Sequence, residues 1–470
     1  MINIIYNIVL KGDIKGGIKM SRENFSSRLG LLAAAAGSAI GLGNIWKFPY
    51  ITGKNGGAAF ILVYLGCIFL IGIPVMLSEF AIGRKNQVNA VESFKKIAPN
   101  TKWHWTGYLA TATAFIILSF YAIIAGWVFS YIWRSASGAL RGVAADGFGD
   151  YFSVLTANPV EPMIMTLLVL TITSVIVFFG IKTGIEKFSK IAMPLLLGLI
   201  VLLIIRSVTL PGASAGLEFL FKPNFSNLSV HGVLEALGHA FYTLSLGMGI
   251  ILTFGSYTKK SENLVSLSYQ VAIADTIIAL MAGVVIFPAV FAYGLEPTAG
   301  PGLLFITLPA VFKSMPFGQF FEFMFFVLIA IAAITSTVSL METAVTFISE
   351  QFNLSRKKTI LIITSGLFVL SIPSVLSFGP LANVKLLGER SIFDTLDFIT
   401  GQIFLPIGGI LICLFVAWVW GTNNAEKEIS SDGKFKFKLK GLYSMSVKYI
   451  APLAILVIFL YGLGIFNIFK

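Results

Sequence analysis

Gly37-Ser38-Ala39-Ile40-Gly41-Leu42-Gly43-Asn44 lies inside an apolar run, approximately residues 29–52, that is long enough to cross a bilayer. Thr243-Leu244-Ser245-Leu246-Gly247-Met248-Gly249-Ile250 lies inside a second such run, approximately 233–256. In each stretch two glycines flank one bulky residue. That spacing puts the glycines on different faces of a helix, which suits unwound backbone better than a packing seam of small residues. The two stretches also open consecutive units of five spans. Interrupted helices at matching positions of two halves point to a binding site at the membrane midplane.

The rest of the chain agrees with a membrane setting. Of 470 residues, 56% are apolar and 12% charged, with a mean hydropathy of +0.87. A soluble domain needs about 25% charged residues to cover its surface. Eleven runs are long and apolar enough to span, at approximately 29–52, 58–82, 106–133, 163–181, 188–208, 233–256, 265–292, 320–348, 359–377, 395–420 and 449–468. Barrel strands would be about ten residues long and alternate in polarity, which these runs do not. The expected architecture is therefore an all-α polytopic membrane protein. Its parts are an N-terminal cytoplasmic segment (1–28), a ten-helix core (29–420) of two five-helix inverted repeats, a basic cytoplasmic loop (421–448) and an eleventh span (449–470).

The net charge of +12 is distributed as a topology signal and not as a nucleic-acid surface. With a cytoplasmic N-terminus, 24 Lys and Arg fall inside, nine fall outside, and Lys47 lies within the first span. Lys434, Lys436, Lys438 and Lys440 form the densest inside run. This bias places the N-terminus in the cytoplasm and, after eleven spans, the C-terminus outside, in a cell inner membrane. Cys67 and Cys413 both sit in apolar segments, so neither reads as half of a structural disulfide. In residues 1–19 an apolar stretch precedes the basic one, the wrong order for a signal peptide, and Met20 reads as a candidate start.

Six stretches together resemble the neurotransmitter:sodium symporter family over Arg22 to Trp420. They are RLGLLAAAAGSAIGLGNIWKFPY in the first span, NGGAAF entering the second and SEFAIGR leaving it, FYTLSLGMG in the sixth, AGPGLLF before the eighth and AAITSTVSLME within it. Among bacterial members the chain is most similar to eleven-span amino-acid transporters with Gly-Met-Gly in the sixth span, tyrosine transporters among them. The resemblance implies sodium-coupled symport of an L-amino acid by alternating access.

It also implies two sodium sites. One takes the carbonyls of Gly37, Ile40 and Ala332 and the hydroxyls of Thr335 and Ser336. The other takes the Ala39 carbonyl, the Asn44 side chain, Thr243 and Asp275, completed by the substrate carboxylate. A shared shell makes each ligand raise the other's affinity by the same factor. From the residues alone, Asp275 stands out as the one acid in an uncharged stretch from Leu264 to Leu295, and an intramembrane acid is a functional candidate by default. The substrate carboxylate is expected near the N–H groups of Gly41, Leu42 and Gly43, where half-helix ends favour anions. Tyr121 should donate to it, and Ser245 should lie near the amine. Ile117, Tyr242, Met248, Ser339 and Leu340 would form the side-chain pocket, with Ala39, Thr243 and Ser336 shared with the sodium shells.

Gate positions carry over with differences. Outside, Lys47 and Asp397 stand where the family pairs Arg with Asp, and lysine lacks the bidentate fork. Tyr242 takes the place of the aromatic lid, with Phe398 beside Asp397. Inside, Arg22 matches the N-terminal Arg, Glu350 replaces its Asp partner, and Phe25 replaces a Trp. Gly184 and Pro194 match a motif that lets the inner end of the fifth span unwind. Glu79 is expected to hydrogen-bond the unwound backbone of the first and sixth spans. His239 stands where many relatives carry Gln near a chloride site. Asp275 implies chloride independence, because chloride-dependent members have a neutral residue there. No organic cofactor is expected. An enzyme is excluded on the three histidines and the lack of a nucleophile beside a base. Two alternatives share the fold: a carrier of another zwitterion or amine, and an amino-acid-binding channel or sensor.

Overall fold

A computed structural model describes residues 23–294 and 302–465. Arg22 and residues 1–19 lie outside that range, as do Ala299 to Pro301 of the AGPGLLF stretch. The described residues are helical throughout, apart from loops and one isolated bridge between Leu387 and Arg390. Among the described residues nine helices are long and apolar enough to cross a membrane: Ala58–Asn86, His104–Ser137, Val160–Phe178, Ile181–Val208, Leu264–Ala292, Gly318–Phe352, Arg356–Leu376, Ile392–Ile429 and Lys440–Gly462. The pair Arg28–Ala39 and Gly43–Lys54, bent by 50°, makes a tenth. The run expected as the sixth span is two shorter helices, Val230–Thr243 and Ile250–Ser256, on either side of a break.

Burial, not hydropathy, sorts these helices into inner and outer ones. The third and eighth spans have 78% of their apolar windows buried, against 33% for the fourth, fifth and eleventh, although mean hydropathy is 1.8–2.5 in all five. The third and eighth are therefore the central pillars, and the others present apolar side chains outward to lipid. At 34 and 35 residues the pillars are about 50 Å long, well beyond the ~30 Å hydrocarbon layer, so they tilt or protrude.

Several segments expected as loops are helical: Phe148–Ala157, Ala213–Phe221 and Leu308–Ser314 outside the spans, and Thr422–Ile429 within the basic 421–448 segment. The last of these is anchored from the second span. Arg84 is fully buried, and its Nε donates to Glu428 Oε1 at 2.9 Å while another guanidinium nitrogen donates to the Glu262 carbonyl at 2.8 Å. The Glu428 carbonyl and Lys260 complete the cluster. Arg84→Ala strands these acceptors out of water, and the expected cost is about 3 kcal/mol. A lowered melting temperature of the purified protein, partly recovered in Arg84→Lys, checks it.

The fifth span does not open at its inner end. Ile181–Glu186 forms a wide π-type turn that runs directly into Lys187–Val208, with Pro194 inside the helix. Gly184 serves close packing there, since a Cβ would stand 2.1 Å from the Ile176 carbonyl oxygen.

Candidate functional site

The two breaks have different backbone origins. In the sixth span, Ser245, Gly247 and Gly249 all take left-handed conformations, with φ of 56°, 80° and 75°. Glycine accepts that region without steric cost. In the first span the helix stops because Ile40 turns extended, with ψ of 99°, and none of Gly37, Gly41 and Gly43 has positive φ. Those glycines allow close approach instead. A Cβ at Gly41 would lie 2.6 Å from Ser336 Oγ and 3.2 Å from the Tyr121 hydroxyl.

The freed backbone groups find specific partners. Gly41 N–H donates to Asn44 Oδ1 at 2.9 Å, and Leu42 N–H donates to the Tyr121 hydroxyl at 3.2 Å. Gly247 N–H donates to Glu79 Oε1 at 2.7 Å, while Glu79 Oε2 has no partner among the described residues. Glu79 therefore holds the sixth span, and no hydrogen bond from it reaches the first. Ser245 Oγ donates across the breaks to the Ser38 carbonyl at 3.2 Å.

Between the breaks lies a cavity of about 40 Å³, lined by Ser38, Ala39, Gly41, Leu42, Gly43, Ile117, Tyr121, Tyr242, Thr243, Ser245, Met248, Ile250, Ser336 and Leu340. All the expected substrate residues line it except Ser339. The Ser339 hydroxyl instead bonds back to the Thr335 carbonyl at 3.0 Å, a common fate of serine in a membrane helix. Ser38 and Ile250 join the lining without having been singled out. Neither carries a sequence signal beyond its adjacency to Ala39 and Gly249.

Asp275 is fully buried beside this cavity. Its carboxylate accepts from Asn44 Nδ2 at 2.7 Å, from Thr243 Oγ1 at 3.1 and 3.2 Å, and from the Tyr64 hydroxyl at 3.4 Å. Tyr64 was not expected. One more aromatic on an apolar helix has nothing in its spacing to mark it. The structure thus brings Asn44, Thr243 and Asp275 into one oxygen-rich cluster next to Ala39. A second cluster faces the first break from the eighth span. Thr335 Oγ1 donates to the Ala332 carbonyl at 2.9 Å, Ser336 Oγ makes longer contacts of 3.3 and 3.4 Å to the Ala332 and Ser38 carbonyls, and the Gly37 backbone sits against Thr335. A hydroxyl that donates to a backbone carbonyl keeps its lone pairs free for a cation.

His239 is buried, and neither ring nitrogen has a partner among the described residues. It packs against Phe48 and Tyr64, with ring centroids 5.8 and 5.6 Å apart.

The positions expected as the outer gate form no direct ion pair. No salt bridge joins Lys47 to Asp397. The Lys47 ammonium stands 4.3 Å from the centre of the Tyr242 ring, and Arg390 stands 4.0 Å from that of Phe398. Cations capping aromatic faces replace the expected charge pair. At the expected inner gate, Phe25 is buried, its N–H donates to the Tyr257 carbonyl at 3.2 Å, and its ring meets Phe254 and Tyr257 edge-on. Glu350 accepts from the backbone and side chain of Asn89 at 2.8 and 3.0 Å. Glu342, which sequence reasoning passed over, is the buried hub of this side. It binds Arg356 and Thr346 and accepts from the Tyr257 hydroxyl at 2.7 Å.

The family model described as sodium:neurotransmitter symporter family matches residues 22–143 and 157–468. This chain belongs to that family. The sodium-dependent transporter YhdH of Bacillus subtilis is 41% identical to this symporter over 447 residues, which cover 94% of the chain and 98% of YhdH. The solved structure of MhsT in complex with L-phenylalanine superposes with a TM-score of 0.87 at 46% identity, covering 94% of the symporter and all of that chain. The sodium- and chloride-dependent GABA transporter 2 of Mus musculus is 25% identical over 497 residues, covering 94% of the symporter and 80% of the mouse protein. The symporter is a multi-pass, sodium-dependent membrane transporter and not an enzyme.

Proposed function

We propose that this symporter carries an aromatic L-amino acid into the cell with two sodium ions, by alternating access and without chloride. The observation that carries this reading is the cavity between the two breaks. It joins the non-helical backbone of the two breaks, the Tyr121 hydroxyl and Met248 beside the Asp275 cluster. MhsT, similar over its whole length, binds L-phenylalanine. At about 40 Å³ the cavity has room for roughly one water molecule, so substrate entry requires the walls to part. Met248, unbranched and flexible, and the glycines on either side of it can give that room. The N-terminus is on the cytoplasmic side of the inner membrane in this reading, as the basic residues indicate.

Two sodium ions moving through about 100 mV contribute roughly 4.6 kcal/mol, and a tenfold sodium gradient adds about 1.4 kcal/mol per ion. Uptake of radiolabelled amino acids into proteoliposomes tests the whole reading. Uptake should require sodium, respond to voltage and proceed without chloride. Tyrosine, tryptophan or phenylalanine should compete better than leucine or glycine. Full uptake driven by protons in sodium-free buffer, or the reverse competition order, overturns it.

Tyr121→Phe is a sharper test of the pose. The hydroxyl accepts from Leu42 N–H and should donate to the substrate carboxylate. Its loss is expected to weaken L-phenylalanine binding about tenfold while sodium dependence stays, as an equilibrium binding assay will report.

A further inference from the structure

A larger cavity, of about 650 Å³, lies apart from the transport pocket and shares no lining residue with it. It is an open groove bordered by the last turn of the third span, the helix ending at Ser314 and the first turn of the eighth span. Its size falls in the range of about 300–1,000 Å³ that small-molecule sites occupy.

Three kinds of side chain line this space. Glu322 is 5% exposed, and its Oε1 is buried with no hydrogen-bond partner among the described residues. The buried hydroxyl of Ser135, also in the lining, makes no close hydrogen bond either, though it stands near enough to Glu322 to help hold that carboxylate. A buried polar atom left without a partner is costly. The Ser135 hydroxyl can turn its own hydrogen toward the carboxylate, and Glu322 Oε1 is left open to a further donor. At the edge, Lys313 and Arg141 are exposed, and Lys313 Nζ donates to the Arg141 carbonyl at 2.6 Å, which holds both cations together. No salt bridge joins Lys313 to Glu322. On the outer rim Phe317 and Phe320 are 83% and 54% exposed. Phe317 has a φ of 57°, a conformation that bulky residues rarely adopt, so the chain holds this ring outward at an energetic cost. Trp133, two residues before Ser135 and equally outward, marks the level where membrane meets water.

A buried acid with one oxygen still short of a donor, two cations and an apolar rim at the membrane surface call for one molecule with a primary ammonium, a phosphate and hydrocarbon chains. We propose that this cavity binds the headgroup of a phosphatidylethanolamine-class lipid. The ammonium hydrogens reach Glu322 and Ser135, the phosphodiester meets Lys313 and Arg141, and the chains run over Phe317 and Phe320. The open Glu322 oxygen sets the selectivity. A trimethylated ammonium has the same charge but no N–H to donate, so phosphatidylcholine leaves Glu322 Oε1 without a donor.

Native mass spectrometry of the full-length protein, taken from nanodiscs of mixed lipids, tests this. Phosphatidylethanolamine should be retained about tenfold over phosphatidylcholine. Glu322→Gln should abolish that preference, and Ser135→Ala should lower it. Lys313→Gln should weaken both lipids and leave the preference intact. Sodium-dependent thermal stabilisation, measured alongside, shows that each variant is folded. Equal retention of the two lipids by the unmodified protein overturns the proposal. So does a preference that survives Glu322→Gln in folded protein, or stronger retention of phosphatidylglycerol, which has no ammonium.

Discussion

Asp275→Asn should abolish most sodium-driven uptake in chloride-free buffer and regain part of it when chloride is added. The substitution keeps the shape and hydrogen-bonding reach of the side chain. Asn44 Nδ2 and Thr243 Oγ1 still have an oxygen to meet, at positions now 2.7 to 3.2 Å from the carboxylate. What disappears is the charge. Asp275 is fully buried, and every polar group around it is neutral: Asn44, Thr243 and the Tyr64 hydroxyl. Bringing sodium into such surroundings without a counter-charge is costly, since a unit pair about 4 Å apart interacts by about 4 kcal/mol at an effective dielectric of 20. Sodium affinity should therefore fall by at least about a hundredfold. A mobile chloride can substitute for the lost charge if the cluster has room for it near Tyr64 and Thr243. Unchanged sodium affinity in the variant, or chloride-dependent uptake by the unmodified protein, shows that Asp275 is not the counter-charge.

Much of this site could be read from the sequence because charge and glycine are rare in lipid-facing helices. Asp275 stood alone in its stretch, and the paired glycines flagged both breaks. Their mechanism was only half legible. Gly247 and Gly249 take the left-handed backbone that glycine permits, whereas the first break comes from Ile40, whose extended backbone no composition rule marks. Side-chain partners were harder still. Ser339 and Ser336 lie three residues apart on one helix and both bond back to their own turn, yet only Ser336 also reaches the first span. Lys47 could have turned to Asp397 or to Tyr242, and tertiary placement set it over the ring. Tyr64 and Glu342 gained their roles from neighbours on other helices, Asp275 and Arg356, which spacing within one helix does not report.

Gly41→Ala should cost about a hundredfold in amino-acid binding and leave the protein folded. The backbone at Gly41 does not need left-handed φ, so alanine introduces no conformational strain of its own. The effect is local crowding. The new methyl would stand 2.6 Å from Ser336 Oγ and 3.2 Å from the Tyr121 hydroxyl, inside a cavity of about 40 Å³ where the carboxylate is proposed to lie. Ser336 can rotate away, and the space it then takes is the substrate's. Overpacking of this kind costs about 1–3 kcal/mol, and the upper end corresponds to the expected loss. Gly247→Ala gives the contrast. There φ is 80° and a Cβ would meet the Leu405 carbonyl oxygen at 2.7 Å, a backbone atom that cannot rotate aside. That variant should lose folded yield before it loses affinity. The two are separated by measuring L-phenylalanine binding and thermal stability on the same purified samples. Normal binding by folded Gly41→Ala protein means that the substrate carboxylate lies elsewhere.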